Sequence, residues 1–306
     1  MIVTDFAPDA PAPGSGRYVY DADLQRAVRV ALATGRPLLL RGAPGCGKTT
    51  LARDVARRLG RVYYQQVVTS RTEARDLEWA FDAVRRLADA QLRGDRGRVA
   101  RLANYVEPRV LWWGFDPASA SRRGGGSTSA SDPGEFFGEA PSHERAAVVL
   151  VDEIDKAEPE VANDLLEPFD TNGFTVAETR FVVRKQRDVF LVVTTNDERD
   201  MPGAFLRRCI VHEIHRPGAA ALGAIARAHF DDAVTADLVA AVASSLDRLA
   251  TQARERRLRE PGVAEFLDAL RACKELGVAP GGPEWEPVTR LALWKHRRGD
   301  DGGDAP

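Results

Sequence analysis

Residues 42–49 read Gly42-Ala43-Pro44-Gly45-Cys46-Gly47-Lys48-Thr49, which fits the pattern G-x-x-x-x-G-K-[ST]. Glycines in such a stretch allow left-handed backbone conformations, so that several N–H groups turn inward around an anion. A lysine at this place contacts the β- and γ-phosphates of a nucleotide, and the threonine hydroxyl after it is a ligand for Mg²⁺. The stretch predicts a nucleoside triphosphate site whose binding residues are Gly42, Pro44, Gly45, Cys46, Gly47, Lys48, Thr49 and Thr50.

The segments on either side of this loop fit the same prediction. The apolar run 37–41 is typical of a buried strand, and residues 48–59 have helical character. A helix that begins at the loop aims the positive end of its dipole at bound phosphates. Because a second β-rich run follows at 62–68, we expect a βαβ unit and hence a parallel sheet flanked by helices.

Two further apolar runs end in polar residues. Residues 148–151 read Val-Val-Leu-Val and are followed by Asp152 and Glu153, and the run 189–195 is followed by Asn196. In open α/β sheets, nucleotides bind at the carboxyl ends of the strands. We therefore expect Asp152 to hold Mg²⁺ and Glu153 to orient and deprotonate a water molecule. Asn196 is a candidate for contacting that water and the γ-phosphate, although an asparagine at a strand end is also typical of a cap or turn.

The rest of the chain carries weaker structural signals. A tryptophan pair at 112 and 113 is more typical of core packing than of partner contact. From residue 219 onward the pattern is wholly helical, with helices expected over 219–229, 236–255, 263–276 and 285–296. We also expect a helix over 21–34, a long helix over 73–92, a strand or hairpin over 105–113, a helix over 159–169 and a hairpin-type turn at 171–174.

Composition divides the chain into four parts, one of which contains an insertion. We expect a disordered leader over 1–16, an α/β nucleotide-binding core over 17–215, a helical lid over 216–298 and a disordered tail over 299–306. Within the core, residues 118–145 are rich in Gly, Ser and Arg and bury too little apolar surface to offset their ordering entropy. That range predicts a mobile insertion, which is either a functional loop or a plain surface excursion.

Charge and cysteine usage limit the function classes. The 306 residues carry a net charge of −2, so there is no overall basic excess of the kind that favours nucleic acid. The three widely spaced cysteines are typical of free thiols in a reducing compartment. No signal peptide or membrane-spanning run is recognisable in the sequence. We expect a cytoplasmic protein.

Together these motifs resemble an AAA+ ATPase. The resemblance rests on the phosphate loop, residues 148–153, residues 194–196, an arginine pair at 207–208 and the helical lid, and it covers about residues 18–298. More narrowly, the chain is similar to the MoxR-like branch, through residues 152–157, residues 165–167 and the hairpin before Asn196. It implies a P-loop NTPase core with a parallel sheet and a small C-terminal all-α lid.

The resemblance implies roles for individual residues. Lys48 and Thr49 match the family's phosphate and Mg²⁺ positions, Asp152 its metal carboxylate, Glu153 its catalytic base and Asn196 its sensor 1. ATP and Mg²⁺ are the implied cofactors, while the sequence leaves the choice between ATP and GTP open.

The arginines follow the family pattern less closely. The best match to the arginine finger, which acts on the nucleotide of a neighbouring subunit, is Arg208, with Arg207 second. Residues 261–265 contain no arginine where related proteins often place sensor 2. The arginines that remain as substitutes are Arg257, Arg259 and Arg271.

The resemblance also implies partners. A finger supplied in trans requires a ring oligomer, commonly a hexamer, and proteins of this branch remodel protein clients, often together with von Willebrand factor A domain proteins. Two alternatives stay open: a nucleotide-gated scaffold or regulator in signalling or defence, and an NTPase similar to McrB-like proteins that is linked to nucleic acid. Glu153 argues against a pure switch, and the near-neutral charge argues against the nucleic-acid motor.

Overall fold

A computed structural model describes Phe6 and residues 18–91, 99–123, 131–137, 145–231 and 233–295. Phe6 is buried, and its carbonyl oxygen accepts a hydrogen bond from Arg29 Nη2 at 3.1 Å. This residue is therefore packed, unlike the disordered leader that the sequence predicts. The other residues of the leader, and the predicted tail at 299–306, lie outside the described residues.

The strands of the described residues are β1 Leu38–Arg41, β2 Val62–Val67, β3 Trp79–Phe81, β4 Val106–Pro108, β5 Ala147–Asp152, β6 Gly173–Val176, β7 Phe181–Arg184, β8 Val189–Thr195 and β9 Ile210–Glu213. They form one five-stranded sheet and two small antiparallel sheets, β3–β4 and the β6–β7 hairpin. Every pairing in the large sheet is parallel, in the order β2-β5-β8-β1-β9. All residues of β5 and β8, two inner strands of this sheet, are buried, as expected for a sheet covered by helices on both faces.

Helices lie between the strands and make up the C-terminal region. The first begins after the cap Asp21, whose carboxylate accepts from Leu24 N at 2.7 Å, and ends at Gly35 with φ 64°. The α-helices whose bounds lie within the described residues are α1 Ala22–Thr34, α2 Lys48–Arg58, α3 Ala83–Gln91, α4 Val110–Phe115, α5 Pro117–Ser121, α6 Pro159–Asp164, α7 Glu167–Asp170, α8 Gly203–Leu206, α9 Ala219–Phe230, α10 Ala236–Glu255, α11 Val263–Leu276 and α12 Trp285–Leu293.

The expected long helix over 73–92 is wrong. A 3₁₀ turn at Ala74–Leu77 leads into β3, and a new helix, α3, begins after Asp82. The apolar residues at helical spacing belong to different environments: Leu77 is fully buried, whereas Val84 is 81% exposed. The spacing of these apolar residues is typical of a single helix, but the residues do not lie on one common face.

Three other local predictions need correction. Within 105–113 only β4 is a strand, since helix α4 begins at Val110 and carries both tryptophans, which are buried as the core interpretation predicts. The helix over 159–169 is broken after residue 164 into α6 and α7. The turn at 171–174 ends α7, while the antiparallel β6–β7 hairpin closes over residues 177–180.

Parts of the predicted insertion are ordered against the sheet. Residues 117–121 form α5, and Glu135 exchanges two backbone hydrogen bonds with Tyr63 of the edge strand β2, each 2.9 Å long. Tyr64 Oη also donates to Asp132 at 3.1 Å. The segment 131–137 therefore covers the open edge of β2. Residues 124–130 and 138–144 lie outside the described residues.

The described chain forms two compact units. The first holds residues 21–41 and 49–213, with a core built on the large sheet, and the second holds residues 18–20, 42–48 and the helical residues from 214 onward. Residues 42–48 of the phosphate loop thus belong to the same compact unit as the C-terminal helices. A helix suited to crossing a bilayer is absent from the described residues.

Candidate active site

A buried carboxylate lies at the carboxyl end of β5. Asp152 Oδ2 accepts hydrogen bonds from Thr49 Oγ1 at 2.9 Å and from Gln65 Nε2 at 3.1 Å, and its Oδ1 accepts from Thr194 Oγ1 at 2.5 Å. These donors come from α2, β2 and β8, three elements that meet at the carboxyl ends of the parallel strands. All three donors are neutral, so they orient the Asp152 carboxylate without placing a positive charge beside it.

The oxygen atoms at this position suit Mg²⁺. Among the described residues, no cluster of three or more His, Cys, Asp and Glu side chains forms a cage for a metal ion. Mg²⁺ does not require such a cage, because it is usually held by one or two carboxylates together with phosphates and water. The Asp152 carboxylate and the Thr49 hydroxyl, already 2.9 Å apart, supply that kind of donor set.

Glu153 adopts an uncommon backbone conformation directly after the strand. Its φ of 61° and ψ of 49° are left-handed, which costs a non-glycine residue about 1–2 kcal/mol. Its N–H donates to Thr194 Oγ1 at 2.9 Å, which stabilises this conformation. The Glu153 carboxylate accepts a hydrogen bond from Asn196 Nδ2 at 3.3 Å. Lys156 also donates to this carboxylate, and that hydrogen bond raises the pKa of Lys156. The structure therefore brings the predicted base and the predicted sensor asparagine into contact.

Asp155 holds the turn that carries Asn196. It is buried, and its Oδ2 accepts hydrogen bonds from the backbone N–H groups of Asn196 and Glu198, both at 3.0 Å. The side chain thus ties the segment after β5 to the segment after β8. Its effect is to hold Asn196 next to Glu153.

The phosphate loop is folded around its own lysine. Lys48 Nζ donates to the carbonyl oxygens of Gly42 at 2.6 Å and Ala43 at 3.0 Å. Gly42 has a φ of 144°, and a Cβ at this position would lie 2.6 Å from the carbonyl oxygen of Ile214. Only glycine fits there. Burial raises the pKa of the Cys46 thiol, so this cysteine is held in its neutral form.

Residues of the C-terminal helical region contact the second glycine of the loop. Ala264 N donates to Gly45 O at 3.3 Å, and a Cβ at Gly262 would lie 3.3 Å from the same oxygen. Arg259 Nη2 donates to Glu265 Oε1 at 2.9 Å. The guanidinium and the carboxylate of this pair lie 3.5 and 3.4 Å from the place where a Gly45 side chain would begin. A cation is therefore positioned beside the loop, although residues 261–265 contain no arginine.

An aromatic pair touches the third glycine. The Tyr18 ring lies 3.1 Å from the Cβ position of Gly47 and packs edge-on against Tyr20, with 5.1 Å between ring centroids. No motif marks these tyrosines in the sequence. Their position next to a predicted disordered leader gave no signal that they contact the loop.

The two candidate finger arginines lie after α8. Arg208 is 52% exposed and makes a loose ion pair with Asp170, with 3.7 Å between Nη2 and Oδ2. Arg207 is also exposed, and its carbonyl oxygen accepts from Arg36 at 3.5 Å. Thr50, the last of the predicted nucleotide contacts, is exposed on α2.

The motifs described above match a known protein family. A family model described as an AAA domain of the dynein-related subfamily matches residues 37–209, more than half of the chain. The chain belongs to this AAA domain family. The matched span runs from Pro37, just before β1, to Cys209, just after the arginine pair, and it contains the phosphate loop, Asp152, Glu153 and Asn196.

Solved structures support the fold of this AAA domain. A RuvB mutant from Thermotoga maritima is similar over 96% of this chain and 77% of its own, at 14% sequence identity and a TM-score of 0.50. No curated protein matches the chain. The predicted fold class is confirmed: an AAA+ P-loop NTPase fold, with a five-stranded parallel sheet, flanking helices and a helical C-terminal region.

Family membership supports an activity driven by nucleotide hydrolysis, since AAA+ ATPases bind ATP and typically Mg²⁺. Around the predicted residues, the structure adds contacts that the motifs did not reveal. In the sequence, the polar pair Thr194-Thr195 at the end of a buried strand was the one available signal that further side chains belong to the site. The residues that sequence reasoning did not assign to the site are Gln65, Asp155, Lys156 and Thr194.

Proposed function

We propose that this chain is an Mg²⁺-dependent ATPase of the MoxR-like branch that works as a ring and remodels a protein partner. The observation that carries the hydrolytic part is the carboxylate cluster. Asp152 is buried and hydrogen-bonded to Thr49, and the carboxylate of Glu153, the next residue, lies 3.3 Å from the Asn196 amide. A scaffold without turnover has no need for a second carboxylate held in a strained conformation beside an amide.

Binding is assigned to the loop and to the strand end. Backbone N–H groups of residues 42–48 and the ammonium of Lys48 surround the phosphates of ATP. Thr49 Oγ1 and Asp152 are the protein groups for Mg²⁺, which when bound neutralises charge on the β- and γ-phosphates. On binding, the phosphates replace the carbonyl oxygens that Lys48 contacts in the loop.

Proton transfer is assigned to Glu153. Its carboxylate accepts a proton from the attacking water, and the Asn196 amide holds the water and the γ-phosphate in line. Lys156 pairs with this carboxylate and fixes its orientation before the reaction. Thr194 holds the carboxylate of Asp152 and the backbone of Glu153, since it donates to Asp152 and accepts from the backbone N–H of Glu153.

Arg208 is our candidate for the trans-acting arginine finger. The side chain is half exposed and its ion pair with Asp170 is long, so reorientation toward a neighbouring subunit costs little. Its planar, permanently charged guanidinium suits the charge that develops on the transferred phosphoryl group. Rings are common among AAA+ proteins, and a hexamer is the expected form.

Arg259 is our candidate for the lid cation. Support comes from its guanidinium, which lies 3.5 Å from the Cβ position of Gly45. Arg271 instead pairs with Asp268 on an exposed face of α11. The lid over residues 216–298 is thereby assigned a direct contact with the phosphate loop.

The remodelling role rests on resemblance to the MoxR-like branch. The sequence features that support it are residues 152–157 and the β6–β7 hairpin before Asn196. The expected partners are a protein client and a von Willebrand factor A domain protein. A cytoplasmic location accompanies this role as a prediction.

The test measures ATP hydrolysis at increasing protein concentration, with and without Mg²⁺. We expect specific activity to rise with concentration, and we expect Glu153→Gln to bind ATP but to turn over at least about 100-fold more slowly. Arg208→Ala should lose turnover at every concentration. Addition of its inactive subunits to wild type should lower the activity of mixed rings.

Arg248→Ala is the matched control for the finger. Arg248 is similarly exposed and is also ion-paired, to Glu286 at 3.0 Å. Equal effects of the two arginine substitutions would remove the case for Arg208. Stable ATP occupancy with no turnover in the wild-type oligomer would reject the hydrolytic function as a whole.

A further inference from the structure

Helix α3 is anchored through polar contacts. Asp82 Oδ1 accepts from Arg85 N at 2.8 Å, and Tyr105 Oη donates to Asp89 Oδ2 at 2.8 Å. The Arg85 guanidinium lies over the Tyr105 ring and donates to the Asn104 carbonyl at 3.2 Å. The side of this helix that faces its own scaffold is therefore charged.

The outward side of the same helix is apolar. Val84 is 81% exposed, Leu87 is 60% exposed, and Ala88 is exposed as well. Their spacings of three and four residues place them in one row, which we call the α3 stripe. No residue of α3 is buried. An ordinary surface helix has the opposite arrangement, with its apolar row toward the core and its charges toward water.

The sequence around the α3 stripe is basic. The described residues 83–91 and 99–101 contain three arginines and one aspartate, which gives a formal charge of +2 in a chain whose net charge is −2. Asp89 is engaged by Tyr105, whereas Arg86, beside the stripe, and Arg101 are exposed. A partner for this surface therefore has to combine apolar side chains with negative charge.

We propose that the α3 stripe, with Arg86 and Arg101, forms the docking surface for an acidic amphipathic segment of a protein partner. Apolar residues of that segment pack on the stripe, and its carboxylates pair with the two arginines. Phosphate-based partners fit less well, because the apolar row at the centre of the surface offers them no contact. The proposal rests on the proposed function and deepens it by naming the chemistry of the client.

The docking surface is connected to the hydrolytic residues. Strand β3, which leads into α3, contains Trp79, whose ring stacks on Phe174 of β6 at 5.7 Å. Trp79 Nε1 also donates to Glu178 Oε2 at 2.8 Å in the turn of the β6–β7 hairpin. From that hairpin the chain continues into β8, which carries Thr194 and is followed by Asn196. A segment bound to α3 thus adjoins a strand that packs, through Trp79, on the hairpin that precedes β8 in the chain, and we infer that its binding changes turnover.

The experiment uses the full chain and a fluorescently labelled helical peptide with leucines on one face and glutamates on the other. A second peptide has lysines in place of the glutamates. Fluorescence anisotropy should show that the acidic peptide binds at least about tenfold more tightly than the basic one, and that added salt weakens it. ATPase activity is measured in the same samples and should change at least about twofold when the acidic peptide saturates the protein.

Single substitutions separate the apolar and charged contributions. Leu87→Asp and Val84→Ser should each weaken binding of the acidic peptide at least about tenfold while basal ATPase activity stays within about twofold of wild type. Arg86→Glu should weaken binding mainly at low salt. Leu276→Asp is the matched control, since Leu276 is 67% exposed on α11, and it should bind the peptide as wild type does.

Duplex DNA and vesicles of anionic phospholipid are the competing probes. If either binds more tightly than the acidic peptide and is released by Arg86→Glu but not by Leu87→Asp, the proposal is overturned. It is also overturned if Leu87→Asp and Leu276→Asp behave alike. If the wild type has no ATPase activity but binds the peptide, and Leu87→Asp abolishes that binding, the proposed function is rejected and the docking surface is supported. Normal ATPase activity without peptide binding would reject the docking surface alone.

Discussion

The hydroxyl of Thr194 lies 2.5 Å from Asp152 Oδ1 and also accepts the backbone N–H of Glu153 at 2.9 Å. One side chain on β8 thus contacts the carboxylate of Asp152 and the backbone of Glu153 at the end of β5. The contact spans 42 residues of sequence and connects adjacent strands of the sheet.

Replacing this hydroxyl by a methyl group tests its role. Thr194→Val keeps the volume but leaves Asp152 Oδ1 and the Glu153 N–H without this partner. We expect the Mg²⁺ concentration for half-maximal ATPase activity to rise about tenfold, because losing a hydrogen bond to a buried charge costs about 1–3 kcal/mol.

The neighbouring Thr195→Val is the control for Thr194→Val. The Thr195 hydroxyl accepts from Asp197 N at 2.9 Å, in the turn after β8, so the Mg²⁺ dependence of this variant should match wild type. An unchanged Mg²⁺ dependence in Thr194→Val would show that the Thr194 hydroxyl does not organise the metal position.

Gly42→Ala should abolish tight nucleotide binding. The added Cβ would stand 2.6 Å from the Ile214 carbonyl oxygen, and a φ of 144° is closed to alanine, so the loop must shift. We expect the ATP dissociation constant to rise at least about tenfold in a calorimetric titration.

Gly203→Ala is the matched control for the loop glycine. Gly203 lies in α8, and a Cβ there meets no atom within 4 Å. This variant should bind ATP as wild type does. If both substitutions leave affinity unchanged, the phosphate loop tolerates a side chain at Gly42 and the close approach of Ile214 does not constrain nucleotide binding.

A buried ion pair within α2 should contribute strongly to stability. Arg58 Nε lies 2.6 Å from Asp54 Oδ2, and the two side chains are 7% and 2% exposed. Asp54→Ala leaves a buried guanidinium without this carboxylate, so the free energy of unfolding in urea should fall by about 3–5 kcal/mol.

The exposed pair Asp23 and Arg26 on α1 is the comparison for Asp54→Ala. Both of its side chains are more than two-thirds exposed, so Asp23→Ala should leave the urea midpoint within experimental error. Equal midpoints for the two variants would mean that the α2 pair contributes no more than a surface pair.

Glu78 should make stability fall as the pH rises. Burial, together with the nearby carboxylates of Glu167 and Asp164, raises the pKa of Glu78 to about 7. The folded state then holds a proton that the unfolded state releases near pH 4.5, so stability is lost as the pH rises from about 4.5 to 7.

Glu78→Gln removes this proton-linked loss. At pH 8 the variant should be more stable than wild type by about 1–2 kcal/mol after allowance for solvent screening, and at pH 4 the two should agree. Glu73→Gln, at an exposed position of the same turn, is the control. Parallel stability curves for wild type and Glu78→Gln between pH 4 and 8 would contradict the shifted pKa.

Several elements were predictable because their causes are local. The phosphate loop is set by the spacing of glycines and lysine over eight residues, and continuous apolar runs mark β5 and β8, which are covered on both faces. Periodicity likewise predicted α10 and α11 with the bounds that the structure shows. Within 73–92 the same periodicity failed, because it counts apolar residues without knowing which are buried.

What the sequence by itself determined is the nucleotide-binding α/β fold, the helical C-terminal region and the identity of Lys48, Thr49, Asp152 and Glu153 as candidate site residues. Tertiary structure alone decided which polar side chains surround them. Gln65 and Thr194 reach Asp152 from 87 and 42 residues away, because parallel strands with crossover helices bring distant strand ends to one edge of the sheet. The exposure of the apolar row on α3 could not be predicted from the sequence either. Hydrophobic spacing shows which residues share one face of a helix, but it does not show whether that face lies against the core or against solvent.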